Sequence, residues 1–222
     1  MFARIASRYD LANRLLSLGI DQIWRNRLVE EVDYRKPSTV VDLATGSGDV
    51  AFALREGLPP ETTLIGLDFC PPMIAEAKKK QIEFGVPNIE FGIGDILDLP
   101  VETGWADAAT ISFGYRNLEN RHQGLLEIKR ILNPDDGFLF ILEFSQPHPL
   151  YRPFYYFYLK RVLPTVASFI TGDRAAYEYL CNSIESFPDR DGISAELRAA
   201  GFTNIKAIPL ALGSVALHIA KA

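Results

Sequence analysis

Short apolar runs alternate with amphipathic stretches along the middle of the chain. Residues 40–43 form an apolar run that ends at a glycine-containing turn, and residues 50–54 resume apolar character at helical spacing. Strands separated by helices need crossover connections, so this alternation predicts a parallel sheet with helices on both faces. The further predicted strands are 64–67, 89–93, 108–113 and 138–144, and the predicted helices between them include 73–84 and 123–132.

The C-terminal end departs from this alternation. A predicted helix from residue 193 to Gly201 is followed by apolar stretches 204–210 and 214–220, which predict an antiparallel pair at the sheet edge. The chain is therefore expected to form one α/β domain, residues 1–222, with a doubly wound, mostly parallel seven-stranded sheet and an antiparallel final strand. Residues 1–32 predict an N-terminal helical cap, and residues 145–190, which contain no predicted strand, predict a helical substrate-side insert that acts as a lid.

Composition narrows the class of protein. The 222 residues are 48% hydrophobic and 23% charged, enough for one domain with a substantial core. A formal net charge of −5 gives no field that would attract a phosphate backbone, so nucleic acid is not an expected partner. Two cysteines, Cys70 and Cys181, fit neither a disulfide framework nor a metal site. With no predicted membrane-spanning helix or signal peptide, the expected location is the cytoplasm.

The glycine loop carries the first chemical signal. Gly46-x-Gly48-x-x-Ala51 fits the loose fingerprint of dinucleotide-binding proteins, so a hydride-transferring oxidoreductase is one possible reading. Asp42 and Asp49 flank the loop, however, and no lysine or arginine occurs between residues 37 and 54. These carboxylates would repel a pyrophosphate but would favour S-adenosylmethionine, which carries a sulfonium and an ammonium group.

Two more carboxylates follow the next strands. Asp68 ends the second predicted strand, 20 residues after Gly48, where it can accept both hydroxyls of a ribose. Asp95 follows the third strand, where it can accept the exocyclic amine of an adenine. Together with the loop they predict an S-adenosylmethionine-dependent methyltransferase. Each residue also has a structural alternative, because the glycines could simply permit a turn and Asp49 could cap the following helix.

Longer motifs point to a family. They are Tyr9-Asp10-x-x-Asn13-x-x-Leu16-Ser17 with Trp24, the loop 42–49, the segments 111–117 and 142–145, Gly172-Asp173-Arg174 with Tyr177, Tyr179 and Leu180, Ser183-Ile184, Phe187-Pro188, and the closing 215–218. In these motifs the chain resembles the menaquinone/ubiquinone biosynthesis C-methyltransferases over nearly its whole length. It departs from the family pattern at Ala12, where that family has Met, at Asp21, where it has His, and in the turn 133–137.

The resemblance implies a class I, Rossmann-like methyltransferase that moves a methyl group from S-adenosylmethionine to a ring carbon of a reduced prenylated quinone. Demethylmenaquinol is the first expected acceptor; the benzoquinol of ubiquinone biosynthesis, another small apolar acceptor, or a non-catalytic lipid-binding scaffold are the alternatives. No metal is implied. The implied cofactor contacts are Ser47, Asp68, Asp95, Ile96 and Ser112, with Tyr9 closing over the cofactor and Asp42, Gly46 and Gly48 forming the loop.

Carbon methylation needs an electron-rich ring carbon, which forms when a quinol hydroxyl loses its proton. Arg116 and Asn117 follow the fourth predicted strand and are the candidate catalytic residues, because a guanidinium stays charged and can hold the developing oxyanion. A salt bridge from Arg116 to Glu119 or another carboxylate is the alternative. His148, Tyr177 or a water held by Arg116 are the candidate bases.

The insert begins with a dense run of rings. Residues 150–161 contain six aromatic residues, and Arg152, Lys160 and Arg161 supply positive charge where no acid occurs between Phe144 and Gly172. Aromatic and basic residues together are typical of a membrane interface, so the segment is a candidate site of peripheral membrane contact that admits the prenyl tail. The alternative is that the rings pack on the core or on a second subunit of a homodimer.

Overall fold

The computed structural model describes residues 19–162 and 181–222, and within them the predicted alternation is present. The strands are β1 Thr39–Leu43, β2 Thr63–Asp68, β3 Glu90–Ile93, β4 Ala108–Ser112, β5 Phe138–Phe144, β6 Thr203–Leu210 and β7 Val215–Lys221. The helices are α1 Asp21–Asp33, α2 Asp49–Gly57, α3 Pro71–Phe84, α4 Arg121–Ile131, α5 Arg152–Phe157 and α6 Arg190–Ala199.

The seven strands form one sheet in the order β3-β2-β1-β4-β5-β7-β6. The first five are parallel, and β7 runs antiparallel to both β5 and β6. The central strands are buried because both faces of the sheet are covered, as in β1, where every residue after Thr39 is buried, Asp42 included. The predicted fold class is thus confirmed, with β7 lying between β5 and the edge strand β6.

Two layers of apolar side chains hold the helices on the sheet. On one face, α1, α2 and α3 contribute residues such as Leu28 and Leu54 to one cluster. On the other face, α4 and α6 contribute residues such as Ile128 and Leu197 to a second cluster. Helices on both faces leave the carboxyl ends of the parallel strands as the open edge on which a ligand can bind.

Several predicted boundaries shift for local reasons. The fourth strand ends at Ser112 and not at 113, because Phe113 adopts a φ of +54° that a strand does not accommodate. The helix predicted to begin at 123 begins at Arg121, where the side chain of Asn120 accepts the amide of Gln123 at 3.0 Å.

The cap and the insert are described in part. Of the predicted cap 1–32, residues 19–33 contain α1, and Tyr9 lies outside the described residues. Of the predicted insert 145–190, the structure describes α5, a π-helical turn Tyr158–Val162 and helical residues 181–186; Tyr177 lies outside the described part. Among the described residues, no helix is long and apolar enough to span a bilayer.

Candidate functional site

One pocket lies over the carboxyl ends of β1, β2, β3 and β4. It brings together most of the residues singled out in the sequence, while Gly48 and Arg116 lie behind its surface. The predicted residues on its wall are Asp42, Gly46, Ser47, Asp68, Asp95, Ile96, Ser112 and Asn117, and they are joined by Asp21, Trp24, Arg25, Asp49, Phe69, Phe113 and Phe144.

The surroundings of the two loop glycines differ. Gly46 has a φ of +57° and faces open space, because a Cβ placed there would meet no atom within 4 Å. Gly48 has a φ of +90°, and a Cβ there would lie 2.9 Å from Phe52 and 3.0 Å from Phe91. Gly46 therefore leaves room for a ligand on the pocket side, whereas Gly48 permits the turn into α2 and its packing.

Asp68 joins the loop to the end of β2. One carboxylate oxygen accepts the Gly46 amide at 2.9 Å, and the other accepts the Cys70 amide at 2.9 Å. Burial raises the pKa of Asp68, and these two amide hydrogen bonds oppose the rise. A carboxylate has about four acceptor positions, so Asp68 keeps capacity for hydroxyl donors from a ligand while it holds the loop in place.

The buried carboxylate of Asp42 connects two elements of the pocket wall. Its two oxygens accept the hydroxyls of Thr45 and Thr110, each at 2.6 Å, which ties the glycine loop to β4. Burial raises the pKa of Asp42 to about 6, although both hydroxyl hydrogen bonds lower it. Its negative charge therefore lies at the pocket wall but is already engaged by the protein.

Asp49 corrects the charge argument made from the sequence. It is the first residue of α2, but the cap position is Gly48 and Asp49 makes no cap hydrogen bond there. Its carboxylate instead accepts Arg25 at 3.1 Å and Lys80 at 3.0 Å. The absence of basic residues within 37–54 was misleading, because α1 and α3 bring two of them to the loop.

The remaining predicted cofactor residues lie at the ends of β3 and β4. Asp95 is exposed and its Oδ1 accepts the Leu97 amide at 2.9 Å, while the buried Ile96 and the exposed ring of Phe69 line the same part of the pocket. Ser112 lines the pocket too, and its buried hydroxyl has no hydrogen-bond partner among residues 19–162 and 181–222. A buried hydroxyl costs free energy unless a ligand supplies the partner, so this position fits a bound polar cofactor.

Arg116 forms a buried ion pair, which is the alternative that the sequence left open, but its partner is Glu143. Its side chain is 6% exposed and lies 3.0 Å from Glu143, which is 2% exposed at the end of β5. The guanidinium also donates to the Phe113 carbonyl and lies over the ring of Phe144. Glu119 is therefore not its partner, and the Arg116 side chain stands behind the pocket while Asn117 lies on its wall.

Of the candidate bases, His148 does not line the pocket, and Tyr177 lies outside the described residues. His148 is exposed, and its Nδ1 accepts the Leu150 amide at 3.4 Å. His218 is buried on β7 with its Nε2 2.9 Å from the Arg190 carbonyl, and burial lowers its pKa. Neither histidine lines the pocket.

The aromatic run of the insert divides into two faces. Tyr155 and Tyr158 pack against a small buried cluster of Leu159, Cys181 and Ile184. The opposite side, which we call the exposed aromatic face, consists of Leu150, Tyr151, Phe154 and Phe157; Phe154 is 74% and Phe157 65% exposed. The packing alternative therefore holds for Tyr155 and Tyr158, whereas the exposed aromatic face is open to solvent.

Comparison with solved structures places the fold among the class I S-adenosylmethionine-dependent methyltransferases. A methyltransferase from Aquifex aeolicus superposes with a TM-score of 0.63 at 17% identity, covering 86% of this chain and 87% of that one. The methyltransferase SibL in its apo form gives a TM-score of 0.65 at 17% identity, covering 91% and 55% of the two chains.

The sequence narrows this class to one family. Residues 1–222 match the ubiE/COQ5 methyltransferase family, and the chain belongs to it. The chain is 41% identical to a demethylmenaquinone methyltransferase of Thermus thermophilus over 99% of its own length and 98% of the relative's. It is 38% identical to the ubiquinone/menaquinone biosynthesis C-methyltransferase UbiE of Citrifermentans bemidjiense over 99% and 93% of the two chains. It is an enzyme that uses S-adenosylmethionine as methyl donor.

Proposed function

We propose that this enzyme methylates a ring carbon of a reduced prenylated quinone, with demethylmenaquinol as acceptor and menaquinol as product. The observation that carries the proposal is the match to relatives of that name along the full chain, which includes the substrate-side segments as well as the cofactor loop. The prenylated benzoquinol of ubiquinone biosynthesis is the second candidate, because other relatives at similar identity carry both quinones in their name.

The acceptor end of the pocket suits a flat apolar ring. Trp24 contacts Phe113 with ring centroids 6.1 Å apart, and Phe113 contacts Phe144 at 5.0 Å. All three rings line the pocket beside Ser112. When bound, S-adenosylmethionine supplies an electrophilic methyl group; the protein must hold a quinol carbon in line with it and exclude water, and aromatic walls serve both needs.

The ion pair gives Arg116 a role different from the one expected. We propose that the quinol hydroxyl releases its proton to solvent water on binding, that Asn117 donates to the resulting oxyanion, and that Arg116 stabilises this charge from behind. Glu143 accepts the Arg116 backbone amide at 3.1 Å as well as its guanidinium, so it fixes the turn Tyr115–Asn117 that carries Asn117. Arg116 is thus a positioning residue in this proposal.

The activity test uses labelled S-adenosylmethionine and two reduced acceptors, one naphthoquinol and one benzoquinol, each with a prenyl tail. We expect methyl transfer to the naphthoquinol at the higher kcat/KM. If the protein binds S-adenosylhomocysteine but labels neither quinol, the proposed acceptor class is refuted and the cofactor assignment stands.

The role of Arg116 needs a variant that keeps the interior neutral. Arg116→Ala would leave Glu143 buried without a counter-charge, which costs about 3–5 kcal/mol of folding free energy and would confound the assay. The double variant Arg116→Gln and Glu143→Gln removes both charges. We expect it to fold and to bind S-adenosylhomocysteine while kcat falls about 100-fold. An unchanged kcat in this variant would rule out the positioning role.

We further propose that the exposed aromatic face contacts the membrane surface and receives the prenyl tail, with the enzyme cytoplasmic and peripheral. Phe154 and Phe157 are three residues apart and so share one side of α5, the exposed Leu150 lies in the turn before the helix, and Arg152 adds an exposed cation. Lys160 contributes less, because Glu185 pairs with it at 2.7 Å. Tyr155 lies behind this face. Burial raises the pKa of Tyr155, and the positive charge of Arg116 is close enough to oppose this rise. The exposed aromatic face therefore adjoins the turn that carries Arg116.

Cosedimentation with anionic phosphatidylglycerol vesicles tests this contact. Phe154→Ser with Phe157→Ser should lose most binding, because two large exposed rings no longer enter the interface. Ile82→Ser, which removes an equally exposed apolar side chain from α3, should bind as the wild type does. Equal binding by the double variant and the wild type would refute the membrane proposal.

A further inference from the structure

A charge cluster stands on one wall of the cofactor pocket, and the quinol chemistry makes no use of it. It consists of Asp21 and Arg25 from α1 and Asp49 from α2, all three of which line the pocket. The Arg25 guanidinium donates an N–H group of one nitrogen to Asp21 and an N–H group of the other to Asp49, the latter at 3.1 Å. Lys80 of α3, which does not line the pocket, holds the second oxygen of Asp49 at 3.0 Å.

The order of the strands relates this cluster to the rest of the pocket. Asp68 and Asp95 mark the half of the pocket over β2 and β3. The helix α1 instead packs on α2 and β5, and its Trp24 contacts Phe113 beyond the end of β4. A cofactor whose adenosine lies against the β2 and β3 half therefore extends its other end past the glycine loop toward α1.

That other end is a free amino acid group, with one carboxylate and one ammonium. Arginine binds a carboxylate with two parallel hydrogen bonds, and an aspartate accepts from an ammonium group. The cluster presents both signs on the pocket wall, with the Arg25 side chain 15% and the Asp21 side chain 4% exposed. A zwitterion is neutral overall, so it can exchange bonds with this ion pair without leaving a charge unmatched.

Lys80 makes such an exchange possible. If Arg25 turns one nitrogen from Asp49 toward a ligand carboxylate, Asp49 keeps its bond to Lys80. The side chains of Asp49 and Lys80 are 29% and 13% exposed, so their ion pair is partly shielded from solvent. The cluster thus has one cation that faces the ligand and a second that holds the loop.

We infer that Arg25 binds the α-carboxylate of S-adenosylmethionine and that Asp21 accepts its α-ammonium. This subsite lies in the pocket of the established cofactor and does not depend on which quinol is the acceptor. It also assigns a purpose to Asp21, at the position where the chain departs from the histidine of the family pattern. The competing explanation is that the cluster only fastens α1 to α2.

Two ligands separate these explanations. S-adenosylhomocysteine has the amino acid end, whereas 5′-methylthioadenosine shares the adenosine and the thioether but lacks that end. Isothermal titration gives the affinity of each ligand for the wild type and for Arg25→Met. We expect Arg25→Met to weaken S-adenosylhomocysteine about 10- to 100-fold, as for the loss of a charge-assisted hydrogen bond, and to change methylthioadenosine less than about 3-fold.

Two more variants complete the test. Arg27→Met removes a guanidinium from the same helix α1 but outside the pocket, where it pairs with Glu30 and Glu31. It should change both affinities by less than about 3-fold. Arg25→Lys keeps the charge but not the two-pronged donor, so it should weaken S-adenosylhomocysteine by an intermediate factor. If Arg25→Met and Arg25→Lys weakened the affinity for both ligands equally, the cluster would serve only to hold α1 against α2, and the inference would be overturned. An unchanged affinity for S-adenosylhomocysteine would overturn it too.

Discussion

The buried carboxylate of Asp42 should make the stability of this enzyme depend on pH in a direction opposite to that of most paired carboxylates. Asp42 is 1% exposed, and its oxygens accept only neutral hydroxyls, from Thr45 and Thr110. Asp42→Asn is nearly isosteric. Its amide oxygen can accept one hydroxyl while its NH2 group donates to the other, so both bonds can be kept without a charge.

The magnitude follows from the pKa, which burial raises from 3.8 to about 6. A raised pKa means that the folded protein holds the Asp42 proton more tightly than the unfolded chain. This favours folding fully below pH 3.8, and the benefit is lost as the pH rises through 6. The whole effect is about 3 kcal/mol, of which about 1.4 kcal/mol is lost between pH 5 and pH 8. The Asp42→Asn variant has no titrating group at this position. The difference between its free energy of unfolding and that of the wild type should therefore rise by about 1.4 kcal/mol from pH 5 to pH 8.

Urea unfolding of the ligand-free protein, followed by circular dichroism at pH 5, 6, 7 and 8, measures this difference. Asp135→Asn removes a carboxylate from an exposed turn and serves as the control for a change in net charge. If the difference in free energy of unfolding between Asp42→Asn and the wild type stayed constant from pH 5 to pH 8, the raised pKa of Asp42 would be refuted.

Two further predictions concern the loop and the end of β4. Ser112→Ala should leave the melting temperature unchanged, because the hydroxyl has no partner among the described residues. It should weaken the binding of S-adenosylhomocysteine about 2- to 10-fold, as measured by titration calorimetry. Undiminished affinity would exclude Ser112 from the cofactor site. Gly48→Ala should destabilise the fold by about 1–3 kcal/mol in urea unfolding, because its Cβ would meet Phe52 and Phe91. Gly46→Ala should cost only about 1 kcal/mol for its left-handed backbone and should lose mainly cofactor affinity, so the reverse order of stabilities would contradict the separate roles of the two glycines.

The sequence revealed those parts of the site that depend on strand order alone. Gly46 and Asp68 each follow a predicted strand, and the carboxyl ends of parallel strands meet at one edge of the sheet. Their convergence in one pocket needed no knowledge of side-chain contacts, and neither did the closing antiparallel strand.

Contacts between helices were not predictable in this way. The partners of Asp49 and Arg116 lie 24 to 31 residues away in the chain, and no periodicity links them. A count of charges within one loop therefore treated Asp49 as available when Arg25 and Lys80 already engage it. Composition likewise could not divide the aromatic run, because only the helical geometry of α5 decides which rings face outward.

The position of the pocket residues along the chain has an evolutionary consequence. Among the described residues that line the pocket, all but Phe144 precede residue 119, whereas the exposed aromatic face follows β5. Under the proposed function, the donor site and the surface that receives the prenyl tail are thus encoded in separate stretches of the gene. Mutations after β5 could then alter which tail is accepted while the donor site is inherited intact, so a new tail preference could arise without an inactive ancestor.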